Sequence, residues 1–281
     1  MEAVRVALIQ LGWSGNRETM KQQVQTMTAY ATAEGAGIVC LPELSLSPYF
    51  PGSRNPNGFD WAEELPGGDS EQFFATLAHA HKVIICGSLF EKTPDRHFYD
   101  TATLHNADGQ LVSCTRKVHI PSGEGYHETD FFEGGDSYPV TDLGSIKMAA
   151  PTCYDQWFPE LSRLYTLNCA EFIFYPTAIG SEPTDPSIDT AEAWQTVMRG
   201  QAIANGVYIG AANRIGREND VTFYGSSFIC DPTGKILVQA GRDTTEVIFA
   251  DLDPHTLSQW RGLFPLLNQR KPQTYRQITD Q

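Results

Sequence analysis

Cys153 is the residue of this chain best suited to nucleophilic chemistry. It lies in residues 150–160 (APTCYDQWFPE), after an apolar run that begins at Ile146 and before a helix-like segment. We therefore expect its thiol where a strand ends and the chain turns, partly accessible and close to backbone N–H groups that favour the thiolate. A nucleophile also needs a base and a positive charge, which other parts of the chain must supply.

Glu43 and Lys117 are the candidates for these two roles. Glu43 follows the apolar residues 38–41, and Lys117 follows the strand-like residues 111–116. Each has an ordinary interpretation, as a surface charge or helix cap for Glu43 and as a solvated strand end for Lys117. The functional interpretation is a desolvated carboxylate that acts as a general base, and a cation that stabilises an oxyanion or a thiolate.

Further polar residues accompany Lys117. His119 lies in the same segment, and we interpret it as a structural hydrogen-bonding residue. The loop that follows contains five carboxylates, and their spacing does not single out one of them. They are Glu124, Glu128, Asp130, Glu133 and Asp136.

Composition limits the classes of partner and cofactor. The 281 residues include 20 basic and 34 acidic side chains, a net charge of −14, without a basic patch for nucleic acid or anionic membranes. The N-terminus lacks an apolar signal core, and the six cysteines form the pattern of reduced, buried thiols in a cytoplasmic protein. The histidines, His79 and His81 included, lack metal-ligand spacing, so we expect no metal site and no cofactor.

Strand and helix signals alternate along the chain, and one domain is expected over residues 1–281, with an extended tail from about residue 262 at a possible oligomer interface. Strands are predicted over residues 4–10, 38–41, 83–91, 99–106, 111–116, 146–152, 172–175, 207–212, 222–230, 236–240 and 246–251, and helices over 17–34, 70–81, 158–168 and 190–205. Many strands with few helices predict either two packed sheets covered by helices or one mixed sheet.

Three long loops direct attention to one edge of the predicted sheets. Residues 45–69, 121–138 and 177–189 follow Glu43, Lys117 and Tyr175, each near the C-terminal end of a predicted strand. Open α/β sheets place their binding sites at this edge, and long loops in compact domains are usually functional or disordered.

Three blocks, taken together and in this order, resemble the nitrilase superfamily of carbon–nitrogen hydrolases. They are Pro42-Glu43 after a strand, residues 116–121 (RKVHIP) and residues 153–160 (CYDQWFPE), and the similarity extends over nearly the whole chain. The resemblance implies a four-layer α-β-β-α sandwich of two mixed sheets whose protomers pair into a homo-oligomer. It also implies a triad of Glu43 as general base, Lys117 as oxyanion-stabilising cation and Cys153 as nucleophile.

The same resemblance assigns roles to two neighbouring residues. Glu128 matches an additional glutamate that lies near the substrate in many members of the superfamily. The backbone N–H of Tyr154 would complete an oxyanion hole with Lys117.

A finer similarity points to one branch, the N-carbamoylputrescine amidases. It rests on residues 155–160, 175–183 (YPTAIGSEP), 212–216 (ANRIG) and 224–228 (YGSSF). It implies hydrolysis of N-carbamoylputrescine to putrescine, CO2 and ammonia. Pro151 and Thr152 depart from the superfamily pattern before the cysteine, and Pro151 requires that strand pairing be rearranged because proline has no N–H.

A substrate with a distal ammonium needs a carboxylate or an aromatic partner. Glu182 is our candidate for that role, with Asp155 and Trp157 as further substrate-binding candidates. Their ordinary alternatives are an exposed loop acid for Glu182 and core or dimer packing for Trp157. The alternative functions are an N-carbamoyl amino acid amidohydrolase, an aliphatic amidase, a nitrilase or acyl-transferring enzyme, and a catalytically weak interaction protein.

Overall fold

The computed structural model describes residues 2–278, which form seventeen strands and five α-helices within that range. The strands are β1 Val4–Gln10, β2 Ile38–Cys40, β3 Glu63–Glu64, β4 Ile84–Lys92, β5 Phe98–His105, β6 Leu111–Arg116, β7 Ser122–Gly123, β8 Tyr126–His127, β9 Thr141–Asp142, β10 Lys147–Ala149, β11 Phe172–Thr177, β12 Tyr208–Asn213, β13 Ile215–Glu218, β14 Val221–Tyr224, β15 Phe228–Cys230, β16 Ile236–Gln239 and β17 Glu246–Leu252. The helices are α1 Arg17–Ala33, α2 Asp69–His81, α3 Pro159–Leu167, α4 Ala191–Asn205 and α5 Pro254–Leu263.

The strands form two mixed sheets. The first has the order β17-β1-β2-β4-β5-β6, with β3 beside β4, and the second has the order β16-β15-β12-β11-β10-β9. In each sheet the central strands are parallel, β1-β2-β4 in the first and β10-β11-β12 in the second, and the other pairs in the two strand orders are antiparallel. The short strand β3 is parallel to β4. The parallel strands in each sheet therefore end at a common edge.

The two sheets pack face to face through apolar side chains. Leu8 and Ile38 of the first sheet and Met148, Phe172 and Ile229 of the second are buried in one cluster. Strands that are covered on both faces read as continuous apolar runs, which is why β11 shows no alternation in its sequence or in its burial.

Helices cover the outer face of each sheet. Helices α1 and α2 pack on the first sheet through residues such as Val24 and Phe74, and α4 packs on the second through Trp194 and Met198. Asn16 is the N-cap of α1, because its side chain accepts a hydrogen bond from the Thr19 N–H. The result is the four-layer α-β-β-α sandwich of two mixed sheets. No described helix is long and apolar enough to cross a membrane.

The prediction of one strand over residues 222–230 is wrong. Gly225 and Ser226 adopt left-handed conformations, with φ of 53° and 59°, and interrupt the chain after β14. Strand β14 pairs with β13 in a separate hairpin, and β15 then enters the second sheet beside β12. Because both short strands are apolar, the sequence predicted one continuous strand and not the turn between them.

Two other expectations also need correction. Strand β10 ends at Ala149 rather than at Thr152, so the segment through Pro151 runs outside the sheet and needs no ladder N–H. Cys114 and Cys169 are exposed, although all six cysteines are free thiols. Cys114 lies on the edge strand β6, whose side chains alternate between the two faces of the sheet.

Within the described residues, the C-terminal tail does not have an extended conformation. After α5 the chain forms turns and two short 3-10 helices, Pro272–Thr274 and Arg276–Ile278. Several of its apolar side chains are exposed, among them Leu263 and Phe264. Residues 279–281 of the predicted tail lie outside the described residues.

Candidate active site

The structure brings Glu43, Lys117 and Glu128 into direct contact. The Lys117 Nζ lies 2.7 Å from Glu43 Oε1 and 2.5 Å from Glu128 Oε2, and all three side chains are buried. Glu43 follows β2 and Lys117 follows β6 directly, whereas Glu128 comes from the long loop after Lys117. Residues that are distant in the sequence therefore meet because their strands end at one edge of the first sheet.

A third carboxylate, from Asp100 of β5, completes this cluster. Its Oδ2 lies 3.7 Å from Lys117 Nζ, and carboxylate oxygens of Asp100, Glu43 and Glu128 all lie within 4.8 Å of one another. Such a group could hold a metal ion, but here the Lys117 ammonium already lies among the three carboxylates and supplies the positive charge. The sequence did not identify Asp100, although an acid inside a predicted strand was a signal for it.

The protonation of this cluster follows from its burial. Burial raises the pKa of Glu43 well above its usual value; the charge of Lys117 opposes this, and the like charges of Asp100 and Glu128 add to it. For Lys117, burial alone would lower the pKa, but Glu128 and Glu43 outweigh burial and the pKa is raised. Lys117 therefore stays charged, while Glu43 binds a proton more tightly than an exposed glutamate, as a general base requires.

Cys153 lies at the turn that was predicted, directly after the segment that follows β10. It begins a 3-10 helix, Cys153–Trp157, with a left-handed φ of 38°, which is strained for a residue with a side chain. The Ala178 N–H points at its sulfur, with N and Sγ 3.5 Å apart. This donor comes from the chain after β11, and nothing in the sequence marked it.

The expectation that the surroundings of Cys153 favour its thiolate is wrong for the resting thiol. Cys153 is only 5% exposed, and burial raises its pKa well above the usual value. The charge of Glu43 raises it further, whereas Lys117 and the Ala178 N–H lower it. The sulfur is therefore protonated at neutral pH, and a base must remove the proton when it reacts.

Asp155 connects the turn at Cys153 to the segment that carries Lys117. Its carboxylate accepts hydrogen bonds from the backbone N–H groups of Val118, His119 and Thr152, at 3.2, 2.8 and 3.4 Å. The residue is fully buried and holds the two segments together. His119 also pairs with Asp155 through Nδ1 and stacks on Phe158, which confirms its structural interpretation.

The main chain of Glu43 is held by Arg214, a residue without a role in our sequence interpretation. Arg214 is buried, and its Nη1 donates to the carbonyl oxygens of Glu43 and Leu44, each at 3.1 Å. Its charge is paired with Glu218, 2.6 Å away. Leu44 has a left-handed φ of 49°, so the turn after β2 needs this support. A charged residue directly after the apolar β12 was the available signal.

A cavity of about 490 Å³ opens onto Cys153. Four more of the predicted site residues line it, namely Glu128, Tyr154, Trp157 and Glu182, whereas Glu43, Lys117 and Asp155 lie behind the lining residues. The remaining lining residues are Pro121, Ser122, Gly123, Glu124, Tyr126, Ala178, Ile179 and Thr184. Three carboxylates and three aromatic rings thus face the cavity, and none of the described lining residues is Lys, Arg or His.

The wall opposite the loop after Lys117 comes from the third long loop, residues 177–189. Partial burial raises the pKa of Glu182 in this wall. Tyr126 connects the two loops, since its hydroxyl accepts from the Gly180 N–H and donates to the Ser181 carbonyl, both at 3.1 Å. A second cavity of about 530 Å³, lined by Gly180, Ser181 and Tyr224 among others, contains none of the triad residues.

Comparisons with known proteins identify the family. The carbon–nitrogen hydrolase family model matches residues 5–262. The chain is 36% identical to a citrullinase of Francisella tularensis, with 99% of each chain covered, and 35% identical to an N-carbamoylputrescine amidase of Solanum lycopersicum, over 97% of this chain and 94% of the relative.

Solved structures give the same result. A carbon–nitrogen hydrolase of Helicobacter pylori superimposes with a TM-score of 0.93 at 30% identity, covering 99% of each chain. A Saccharomyces cerevisiae member of branch 10 of the nitrilase superfamily gives 0.83 at 30% identity, over 96% of this chain and 97% of that one.

Relative to the wild type, Glu43→Gln is expected to gain folding stability as the pH rises, while it removes a proposed base. The pKa of Glu43 is raised in the folded state, so the unfolded chain releases this proton at a lower pH than the folded protein does. The wild-type protein therefore loses folding stability as the pH rises above about 4.5. Urea unfolding of wild type and Glu43→Gln between pH 4.5 and 8.5 measures this. The stability difference should grow with pH in favour of the variant, and a constant or opposite difference would contradict the raised pKa.

Proposed function

Because this chain belongs to the carbon–nitrogen hydrolase family, within the nitrilase superfamily, and is an amidase-type hydrolase, we propose that it hydrolyses the carbamoyl group of a small amine. The leading substrate is N-carbamoylputrescine, with putrescine, CO2 and ammonia as products. The observation that carries this proposal is the cavity at Cys153, which offers carboxylates and aromatic rings to a distal ammonium but no basic side chain to a carboxylate.

The proposed reaction begins with attack of Cys153 Sγ on the carbamoyl carbon while Glu43 accepts the thiol proton. Lys117 and the Tyr154 N–H stabilise the oxyanion, and such a donor contributes on the order of 3 kcal/mol. The C–N bond then breaks, and the leaving nitrogen takes the proton from Glu43. Glu128 helps to fix Lys117, whose Nζ donates to both Glu43 and Glu128.

Water completes the cycle. Glu43 removes a proton from a water molecule that attacks the carbonyl carbon of the thioester-like intermediate. The C–S bond breaks, Cys153 regains its proton, and the carbamate released decomposes to CO2 and the second nitrogen product. One water and one carbamoyl amine thus give one amine, one ammonia and one CO2.

Citrulline is the second candidate, because a citrullinase is among the most similar relatives. Citrulline carries the same carbamoyl group as N-carbamoylputrescine but has an additional carboxylate beside its distal ammonium. That carboxylate would face Glu124, Glu128 and Glu182 without a cation among the described lining residues. Like-charge contact of this kind disfavours citrulline.

Ammonia release from a substrate panel tests the proposed function. We expect N-carbamoylputrescine to have the highest kcat/KM, followed by citrulline, simple aliphatic amides, N-carbamoyl amino acids and a nitrile. Cys153→Ala should lower kcat at least about 10³-fold, because no other group can form the covalent intermediate. Cys114→Ala is the control and should retain full activity. Near-normal turnover by Cys153→Ala, or a preference for a nitrile, would contradict the proposal.

Glu182→Gln tests the recognition of the distal ammonium. It should raise KM for N-carbamoylputrescine about five- to ten-fold and leave KM for a neutral aliphatic amide unchanged, since a hydrogen bond to a charged group is lost. Asp185→Asn is the matched control, because Asp185 is an exposed acid of the same loop that does not line the cavity. An unchanged ratio of the two KM values would exclude this role for Glu182.

We also propose that the active form is a cytoplasmic homo-oligomer. Exposed apolar side chains follow one another at the end of α5 and after it, namely Leu263, Phe264 and Leu266, and contact with another protomer would remove them from water. Light scattering of the purified enzyme should give at least a dimer. A monomer at assay concentration with full activity would contradict the proposal.

A further inference from the structure

Tyr49 contacts the catalytic cluster without lining the cavity. It is fully buried in the loop that follows Glu43, and its hydroxyl donates to Glu128 Oε1 at 2.7 Å. The other oxygen of that carboxylate, Oε2, accepts from Lys117 Nζ. Each oxygen of Glu128 therefore has its own donor, one neutral and one charged, and the carboxylate cannot rotate without losing both.

The main chain of Tyr49 is fixed independently of its hydroxyl. The Tyr49 N–H donates to Glu218 Oε2 at 2.7 Å, and the other oxygen of Glu218 is paired with Arg214. The ring packs edge-on against Phe223 and Tyr126, with centroids 5.3 and 6.1 Å away. Loss of the hydroxyl alone would leave these contacts in place, so its contribution can be measured separately.

We propose that Tyr49 is a positioning residue whose hydroxyl keeps Glu128 ionised and directed at Lys117, so that Lys117 and Glu43 stay in the geometry the reaction needs. This inference rests on the proposed function only in those tests that measure turnover of a substrate. It assigns Tyr49 no contact with substrate.

The electrostatics of the cluster support this role. Burial raises the pKa of Glu128, and Asp100 adds to the rise, whereas Lys117 and the Tyr49 hydroxyl oppose it. Glu43, Asp100, Lys117, Cys153 and Tyr49 are the titratable groups that face this cluster. Burial also raises the pKa of Tyr49, so its hydroxyl remains a donor at every pH of interest. Removing a donor to the ionised form must raise the apparent pKa of the coupled carboxylates.

Tyr49→Phe is the direct test. We expect the acid limb of the pH profile of kcat/KM to move up by about one pH unit and kcat to fall about ten-fold, because a hydrogen bond to a charged group is lost. KM should change less than about two-fold, because Tyr49 does not contact the substrate. Tyr175→Phe is the matched control, since Tyr175 is also fully buried but its hydroxyl has no partner among the described residues. It should leave the profile unmoved.

A double-mutant cycle with Glu128→Gln shows whether Tyr49 acts through Glu128. In the Glu128→Gln background, Tyr49→Phe should add no further shift of the acid limb. An unmoved acid limb in the single variant, or an equal shift in both backgrounds, overturns the proposal. So does failure of Tyr49→Phe to fold, because a hydroxyl needed for folding has a structural role.

Alkylation of Cys153 separates this inference from the proposed function. Iodoacetamide forms an S–C bond at Cys153 with loss of iodide, and the thiol proton passes to the cluster, so the rate follows the same acid limb without any substrate. If wild type hydrolyses no member of the panel, the proposed function fails. The pH profile of alkylation, followed by mass spectrometry of the Cys153 peptide, then still tests the role of Tyr49. An upward shift of the acid limb in Tyr49→Phe supports that role, and an unmoved acid limb overturns it.

Discussion

The ammonium of Lys117 lies buried between the carboxylates of Glu43 and Glu128, and the rest of the site is arranged around it. An unpaired charge at this depth would cost several kcal/mol, so the ammonium requires its carboxylates and they require it. Strands β2 and β6 supply Glu43 and Lys117, and Asp155 holds the turn of Cys153 to the segment that follows Lys117. A second buried pair, Arg214 with Glu218, secures the main chain of Glu43.

This arrangement keeps Cys153, the proposed nucleophile, protonated as a thiol when no substrate is bound. Burial raises the pKa values of both Cys153 and Glu43, so neither ionises as readily as it would in water. In the proposed reaction, the thiol proton leaves when the carbonyl carbon is in place, and Lys117 stabilises the oxyanion that forms. Keeping three carboxylates close to one ammonium costs folding stability, as active sites commonly do.

The sequence predicted most of the fold and the three residues of the proposed triad. Apolar runs located twelve of the seventeen described strands, and Glu43, Lys117 and Cys153 stood out because each follows such a run. The strands that were missed are short, namely β3, β7, β8, β9 and β13. Asp100, Tyr49 and Arg214 were missed because their roles arise only from tertiary contacts. Tyr49 is 79 residues from Glu128, and Arg214 is 171 residues from Glu43. Burial of Cys153 was also unpredictable, because it depends on the loop of residues 177–189 folding over the turn.

The most direct test of the account is rapid-quench mass spectrometry of the wild-type enzyme during turnover of N-carbamoylputrescine. The account predicts a substrate-derived mass on the peptide that carries Cys153, which forms before steady state and decays at the rate of product release. Turnover with Cys153 unmodified throughout, or with the added mass on another cysteine such as Cys114, would contradict it.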